Sequence, residues 1–195
     1  MLVSSKLNKL LLGSLCCIAF SQNVFAGECN TKKLDDLFAT MAARSALMEG
    51  VAAYKFINKQ TVYDSPRELK VLQNTQDIAK KNKIDSGDLM VFAQIQMDQA
   101  KFIQDYWIAH WNANKENQPD PEVTPGIDSL RTQINALDDK IYVQLINNLG
   151  DIQICNQPTI LKHLDKAFTN VKGIPQNPAY NQLTASAIAN LSIPQ

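Results

Sequence analysis

The chain has 195 residues, with 19 lysines and arginines against 19 acidic residues, 45% hydrophobic residues, 7 glycines, 8 prolines and 4 cysteines. That composition excludes a disordered, collagen-like or disulfide-dense chain. A formal charge of zero argues against a nucleic-acid partner, which requires a basic face. At this length one domain with a sizeable core is the expectation, burying roughly 70% of the extended chain's surface.

Residues 1–26 read as a secretory signal peptide. Lys6 and Lys9 form a positive n-region, Leu10 to Phe20 is an apolar run of 11, and Val24-Phe25-Ala26 offers a small residue at the cut. The run falls short of the roughly 20 residues that span a bilayer. Leu15 precedes Cys16 and Cys17 where a lipoprotein signal wants a small residue, so lipid anchoring is the weaker reading. Cleavage near Ala26 leaves residues 27–195 with 17 cations against 19 acids, a net charge of −2. The product is expected to be soluble, periplasmic or secreted, and free of the membrane. Only Cys29 and Cys155 survive cleavage, and two cysteines in an oxidising compartment suggest one disulfide; the alternative is two buried free thiols.

A helix seam starts the mature chain. Leu34, Leu37, Met41, Met48 and Val51 recur at steps of three and four from about Thr31 to Lys59, with Arg44 and Lys55 set among them. Ser65-Pro66-Arg67-Glu68 opens a second helix with Ser65 as cap and Pro66 first inside, running to about Lys83. Asp85 or Ser86 begins a third, which carries Leu89, Phe92, Ile95, Phe102, Ile103, Tyr106 and Trp107 to about Asn112. Pro119, Pro121 and Pro125 make residues 114–126 a crossing loop. Ile127, Leu130, Ile134, Leu137, Ile141 and Leu145 restore helical spacing up to Asn148 or Gly150. The tail, 151–195, holds two shorter helices, Thr159 to Val171 and Tyr180 to Leu191, between prolines. No segment alternates like a strand, so the expectation is an all-α single domain of long helices packed side by side.

Several polar residues point inward on these faces. Arg44 and Lys55 are 11 residues apart, three helical turns with about 20° left over, so they share one face. Charges on a buried seam need a carboxylate partner or an anionic ligand. Gln96, Ala100 and Gln104 lie at steps of four on the third helix among its apolar residues, and a buried amide needs partners. Asp64, Arg67 and Glu68 cluster where the second helix begins, and Arg131 flanks the Leu130 seam. Taken singly each has a structural reading: Asp64 and Glu68 as capping groups, Arg67 as a solvated first-turn residue, Arg131 as a flank, Arg44 and Lys55 as ion pairs or snorkelling side chains. There is no Cys-x-x-Cys, His110 and His163 lack metal-ligand spacing, and no Gly-rich phosphate loop or Gly-x-Ser-x-Gly elbow is present. No metal or cofactor is therefore expected. Cations and neutral amides aimed into one bundle suit a reaction that holds a dianion in shape while charge moves onto an oxygen.

The spacing Arg44, Lys55, Asp64, Arg67-Glu68, Ala100, Gln104, with the runs Val51-Ala52-Ala53-Tyr54-Lys55 and Asp64-Ser65-Pro66-Arg67, resembles the all-helical chorismate mutases. The signal peptide, the proline-rich loop and Arg131 within Ser129-Leu130-Arg131-Thr132-Gln133-Ile134 resemble their secreted, gamma subclass. The match covers about Leu34 to Leu145. It implies a type II helical bundle over residues 27–195, with site-bearing helices at about 31–148 and a helical tail at 151–195. It also implies chorismate as substrate, no cofactor, a homodimer and a site supplied by one chain. By this resemblance Arg44 and Arg131 hold the two substrate carboxylates, and Arg67 adds positive potential or orients Asp64. Lys55 and Gln104 donate to the ether oxygen, and Glu68 binds the hydroxyl with backbone near Asp64. Ala100 stands where relatives carry Ser or Thr on a carboxylate, and Gln104 where some carry Glu. The tail lacks the cysteine pair of some secreted members, so the resemblance lends the Cys29 to Cys155 pairing no support. Two other classes stay open at this point: a non-catalytic exported helical binding or adaptor protein, and a helical lyase on a similar carboxylate-rich skeleton.

Overall fold

The computed structural model describes residues 28–174 and 179–193; the expected signal peptide and cleavage point lie outside them. Eight α-helices and a single 3-10 turn at Lys115–Asn117 make up the regular structure of the described residues, with no strand among them. In chain order they are α1 (Thr31–Ala46), α2 (Met48–Ile57), α3 (Ser65–Asn82), α4 (Ser86–Ala113), α5 (Ile127–Asn147), α6 (Leu149–Ile154), α7 (Gln157–Phe168) and α8 (Ala179–Ala189). None of them is long and apolar enough to cross a membrane.

The first seam is nearly one helix. Leu47 tightens a single turn between α1 and α2, bonding back to the Arg44 carbonyl at 3.2 Å, and the Leu47 carbonyl then accepts from Val51 at 3.1 Å. Leu34, Leu37, Met41, Met48 and Val51 are all buried along it. They feed two cores. One joins the α1 residues to Leu89 and Phe92 of α4, Ile141 and Leu145 of α5, and the tail residues Ile160, Leu164, Phe168 and Ile188. The other joins Met48, Val51 and Ala52 of α2 to Ile103, Trp107 and Trp111 of α4 and Leu130 and Ile134 of α5. Full burial of such a side chain is worth about 1.5–3 kcal/mol, which is what sets α1, α4 and α5 side by side. Gly50 permits the close approach of α2 to α5: a Cβ there would lie 3.1 Å from the Leu130 side chain.

Local details differ from the sequence expectations. The α3 cap is Asp64, whose side chain accepts from the Arg67 amide, so Ser65 is the first helical residue and Pro66 the second. Both residues are good caps; the carboxylate wins here because its second oxygen also meets Arg131. A sixth helix, α6, precedes the two of the tail; its Leu149 and Ile152 are buried, but six residues around Gly150 carry too little periodicity to read. In the tail, α7 starts and ends earlier than Thr159 and Val171, capped by the Asn156 side chain on the Thr159 amide. Cys29, just before α1, and Cys155, just after α6, are disulfide-bonded with a Cα–Cα distance of 4.8 Å.

Candidate active site

One cavity of about 680 Å³, including its open mouth, lies between α1/α2, the start of α3, the middle of α4 and the first half of α5. Its size falls in the range that holds a small metabolite. The eight residues singled out by sequence, Arg44, Lys55, Asp64, Arg67, Glu68, Ala100, Gln104 and Arg131, all line it. Apolar walls come from Met48, Val51, Val71, Met97, Ile127 and Ile134.

Arg44 closes α1 and Lys55 closes α2, each less than a tenth exposed. The Lys55 ammonium donates to the Val62 carbonyl at 2.7 Å. That carbonyl is returned to it by the short loop after α2, which turns through Lys59 in the left-handed region at φ 52°. Burial holds the Lys55 pKa below the ordinary 10.5, with Asp64 opposing that shift and Arg131 reinforcing it. Asp64 has both oxygens engaged, one by the Arg67 amide at 3.2 Å and the other by the Arg131 guanidinium at 3.1 Å. The Arg67 guanidinium turns instead to the Asn135 side chain.

On α4, Gln104 is buried and its amide nitrogen donates to the Ala100 carbonyl at 3.0 Å. An amide nitrogen carries two hydrogens, and the second meets only the Met48 sulfur at 3.8 Å, a weak acceptor that a substrate oxygen can replace. The Gln104 oxygen is buried without a partner, a cost of about 1–3 kcal/mol. Gln96, two turns earlier, faces inward as its spacing implied but away from this cavity, reaching the Thr184 hydroxyl at 3.5 Å.

Lys101, Asp138 and Asn135 escaped the sequence reading. Lys101 bonds Glu68 at 3.1 Å and Asp98 at 3.0 Å and lies over the Tyr63 ring at 5.3 Å. Asp138 pairs with the Nε of Arg44. The available signals were positional: Lys101 is one turn before Gln104, and Asp138 is two turns beyond Arg131. Of the charged lining, five are cations, Arg44, Lys55, Arg67, Lys101 and Arg131, against the carboxylates of Asp64, Glu68 and Asp138. Each carboxylate is paired to one cation, leaving a surplus of two positive charges, Lys55 and Arg67. A dianion is the matching ligand.

No family model matches the chain. A curated monofunctional chorismate mutase from Enterobacter agglomerans is 28% identical over 128 residues, 65% of this chain and 68% of that one. The crystal structure of a secreted chorismate mutase from Yersinia pestis is alike in fold, with a TM-score of 0.65 at 18% identity over 86% of this chain and 100% of that one. The chorismate mutase structure from Burkholderia thailandensis gives a TM-score of 0.63 at 26% identity over 80% of this chain and 99% of that one. In fold and in sequence, the chain is similar to these chorismate mutases.

Proposed function

We infer that this protein is a chorismate mutase, rearranging chorismate to prephenate. What carries the reading is the cavity itself: eight residues of one spacing pattern, drawn from five helices, converge on it with a surplus of two positive charges. The reaction is an intramolecular 3,3 shift in which the ether C–O bond breaks as a C–C bond forms. No proton is transferred and no covalent intermediate or cofactor is needed, so catalysis is a matter of conformation and electrostatics.

In this mechanism Arg44 and Arg131 hold the two carboxylates and select the folded conformer in which the reacting carbons face each other. Charge builds on the ether oxygen as its bond to carbon breaks. The Lys55 ammonium and the remaining Gln104 N–H donate to that oxygen. A donor preorganised for developing charge is worth about 3 kcal/mol or more in the transition state. Glu68 takes the substrate hydroxyl together with backbone near Asp64, and Arg67 supplies positive potential from the rim. The catalytic domain is residues 27–195, exported after cleavage near Ala26 and assembled as a homodimer in which each chain provides its own site. The apolar start of the sequence and the secreted Yersinia protein of like fold support export.

The test is loss of chorismate absorbance with purified residues 27–195, the product identified as prephenate, beside Lys55→Ala and Arg44→Ala proteins shown folded by circular dichroism. Turnover that both substitutions reduce by two orders of magnitude or more is expected. A folded, inert wild-type protein would refute the assignment.

A further inference from the structure

α5 carries a polar stripe at steps of four, three and four: Arg131, Asn135, Asp138 and Tyr142. Such steps keep side chains on one face of a helix. Every member of the stripe reaches across to another helix or to its cap. Arg131 meets Asp64, the cap of α3. Asn135 takes the Arg67 guanidinium, Asp138 takes Nε of Arg44 at the end of α1, and the Tyr142 hydroxyl is 2.8 Å from the Thr75 hydroxyl of α3. One face of one helix thus carries one of the three arginines of the cavity and touches the other two.

The Arg44 contact is the most constrained of these. Arg44 is nearly buried, and its guanidinium bonds Asp138 through Nε alone. Its two terminal nitrogens have no protein partner among the described residues, so the end of the fork is free for an incoming carboxylate. A guanidinium held at Nε by one carboxylate keeps its plane fixed while its outer edge offers two parallel N–H groups, the geometry of bidentate recognition. The aim of Arg44 also matters to the cavity beneath it, where Asp138, Gln96, Phe92 and Tyr142 gather. Without Asp138 nothing would fix the plane of the guanidinium, and the unpartnered Gln96 oxygen on the wall of the same cavity is a competing acceptor, away from the substrate.

We propose that Asp138 is a positioning residue: it fixes the guanidinium of Arg44 so that its terminal nitrogens face a substrate carboxylate. This rests on the chorismate mutase reading, and a misplacement of about 1 Å at a binding group can cost some 10²-fold in rate. Asp138→Asn keeps the size and one acceptor but removes the charge. It is expected to lower kcat/KM at least tenfold, mostly through KM, in a protein still folded by circular dichroism. The decisive control is a double-mutant cycle. In an Arg44→Ala background, Asp138→Asn should change kcat/KM by less than twofold, because nothing remains for Asp138 to aim.

Losses that multiply in the double variant would overturn the proposal and leave the mutase assignment standing, as would wild-type kinetics in Asp138→Asn. A nitrogen-15 NMR signal from the Arg44 Nε–H gives a readout independent of turnover. It should be protected from exchange in the wild type and lose that protection in Asp138→Ala, which leaves no acceptor. Unchanged protection would refute the pairing whatever the activity, and a wild type inert toward chorismate would refute the positioning role together with the function it serves.

Discussion

Removing the disulfide should cost the protein a large part of its stability and almost none of its intrinsic activity. Cys29 and Cys155 are 126 residues apart, and the closed loop contains α1 to α6, the whole of the candidate site. In the chain-entropy treatment a cross-link over 126 residues restricts the unfolded chain by about 16 cal/mol/K, or roughly 5 kcal/mol at 25 °C. Total stabilities of single domains are about 5–15 kcal/mol, so the bond accounts for a third of the total or more. The perturbation is Cys29→Ala with Cys155→Ala, made together so that no free thiol remains. Urea unfolding followed by circular dichroism, with slopes of about 1–3 kcal/mol/M, should show the midpoint falling by about 1.5 M or more. Neither cysteine lines the cavity, so kcat in the absence of denaturant should stay within twofold of the wild type. A midpoint moved by less than about 0.3 M at unchanged slope would refute the loop-entropy reasoning and assign the bond no thermodynamic role.

Lys55 should trade stability for activity. Burial lowers its pKa in the folded state, so between the folded value and 10.5 the unfolded chain binds more protons and stability rises with pH. At neutral pH the charged lysine is therefore a cost, and Lys55→Met should abolish about 10²–10³ of kcat while unfolding no earlier than the wild type; a melting temperature several degrees lower would contradict this. Wild-type activity should be nearly flat from about pH 5 to 8 and then fall with a midpoint below 10.5 as Lys55 loses its proton, whereas a steep loss above pH 6 with the fold intact would rule out this donor set. Gln104→Glu substitutes a group that donates only when protonated, so its kcat should drop at least tenfold at pH 7.5 and recover on acidification, as a pH profile of the variant will show. Ala100→Ser restores a hydroxyl to the cavity wall, and one added hydrogen bond of about 0.5–1.5 kcal/mol should lower KM by up to roughly tenfold with kcat within twofold.

Helical periodicity made the architecture legible. Runs such as Leu34 to Val51 and Ile127 to Leu145 bury one stripe each, and a stripe is a property of the sequence alone. The eight lining residues were legible for a related reason: within one helix, spacing fixes which side chains share a face, and the family pattern supplied which faces meet. What spacing leaves open is the pairing between helices. Asp138 sits next to Asp139, and two adjacent acids on a helix read as a solvated surface; only the packing of α1 against α5 turns one of them toward Arg44. Lys101 likewise reads as an outward lysine until the start of α3 brings Glu68 within 3.1 Å. The cap of α3 was misplaced by one residue because local chemistry cannot rank Asp64 against Ser65; a guanidinium 67 residues away decides it.

The distribution of apolar burial explains how the fold tolerates such a site. A buried lysine held below its ordinary pKa, an unpartnered Gln104 oxygen and two cations without a carboxylate all work against folding. They border the smaller core, of 10 buried residues. The larger core, of 20, takes nine of its members, from Leu149 to Leu191, from α6 and the tail. These segments supply none of the cavity lining, yet α7 packs along α1, whose last turn carries Arg44. The tail therefore bears on the site through α1: it packs along the helix whose last turn carries the buried arginine, and the disulfide ties the residue before that helix to the chain after α6. A truncation after α5 would leave every lining residue in the chain and still remove much of the packing that holds Arg44 against Asp138.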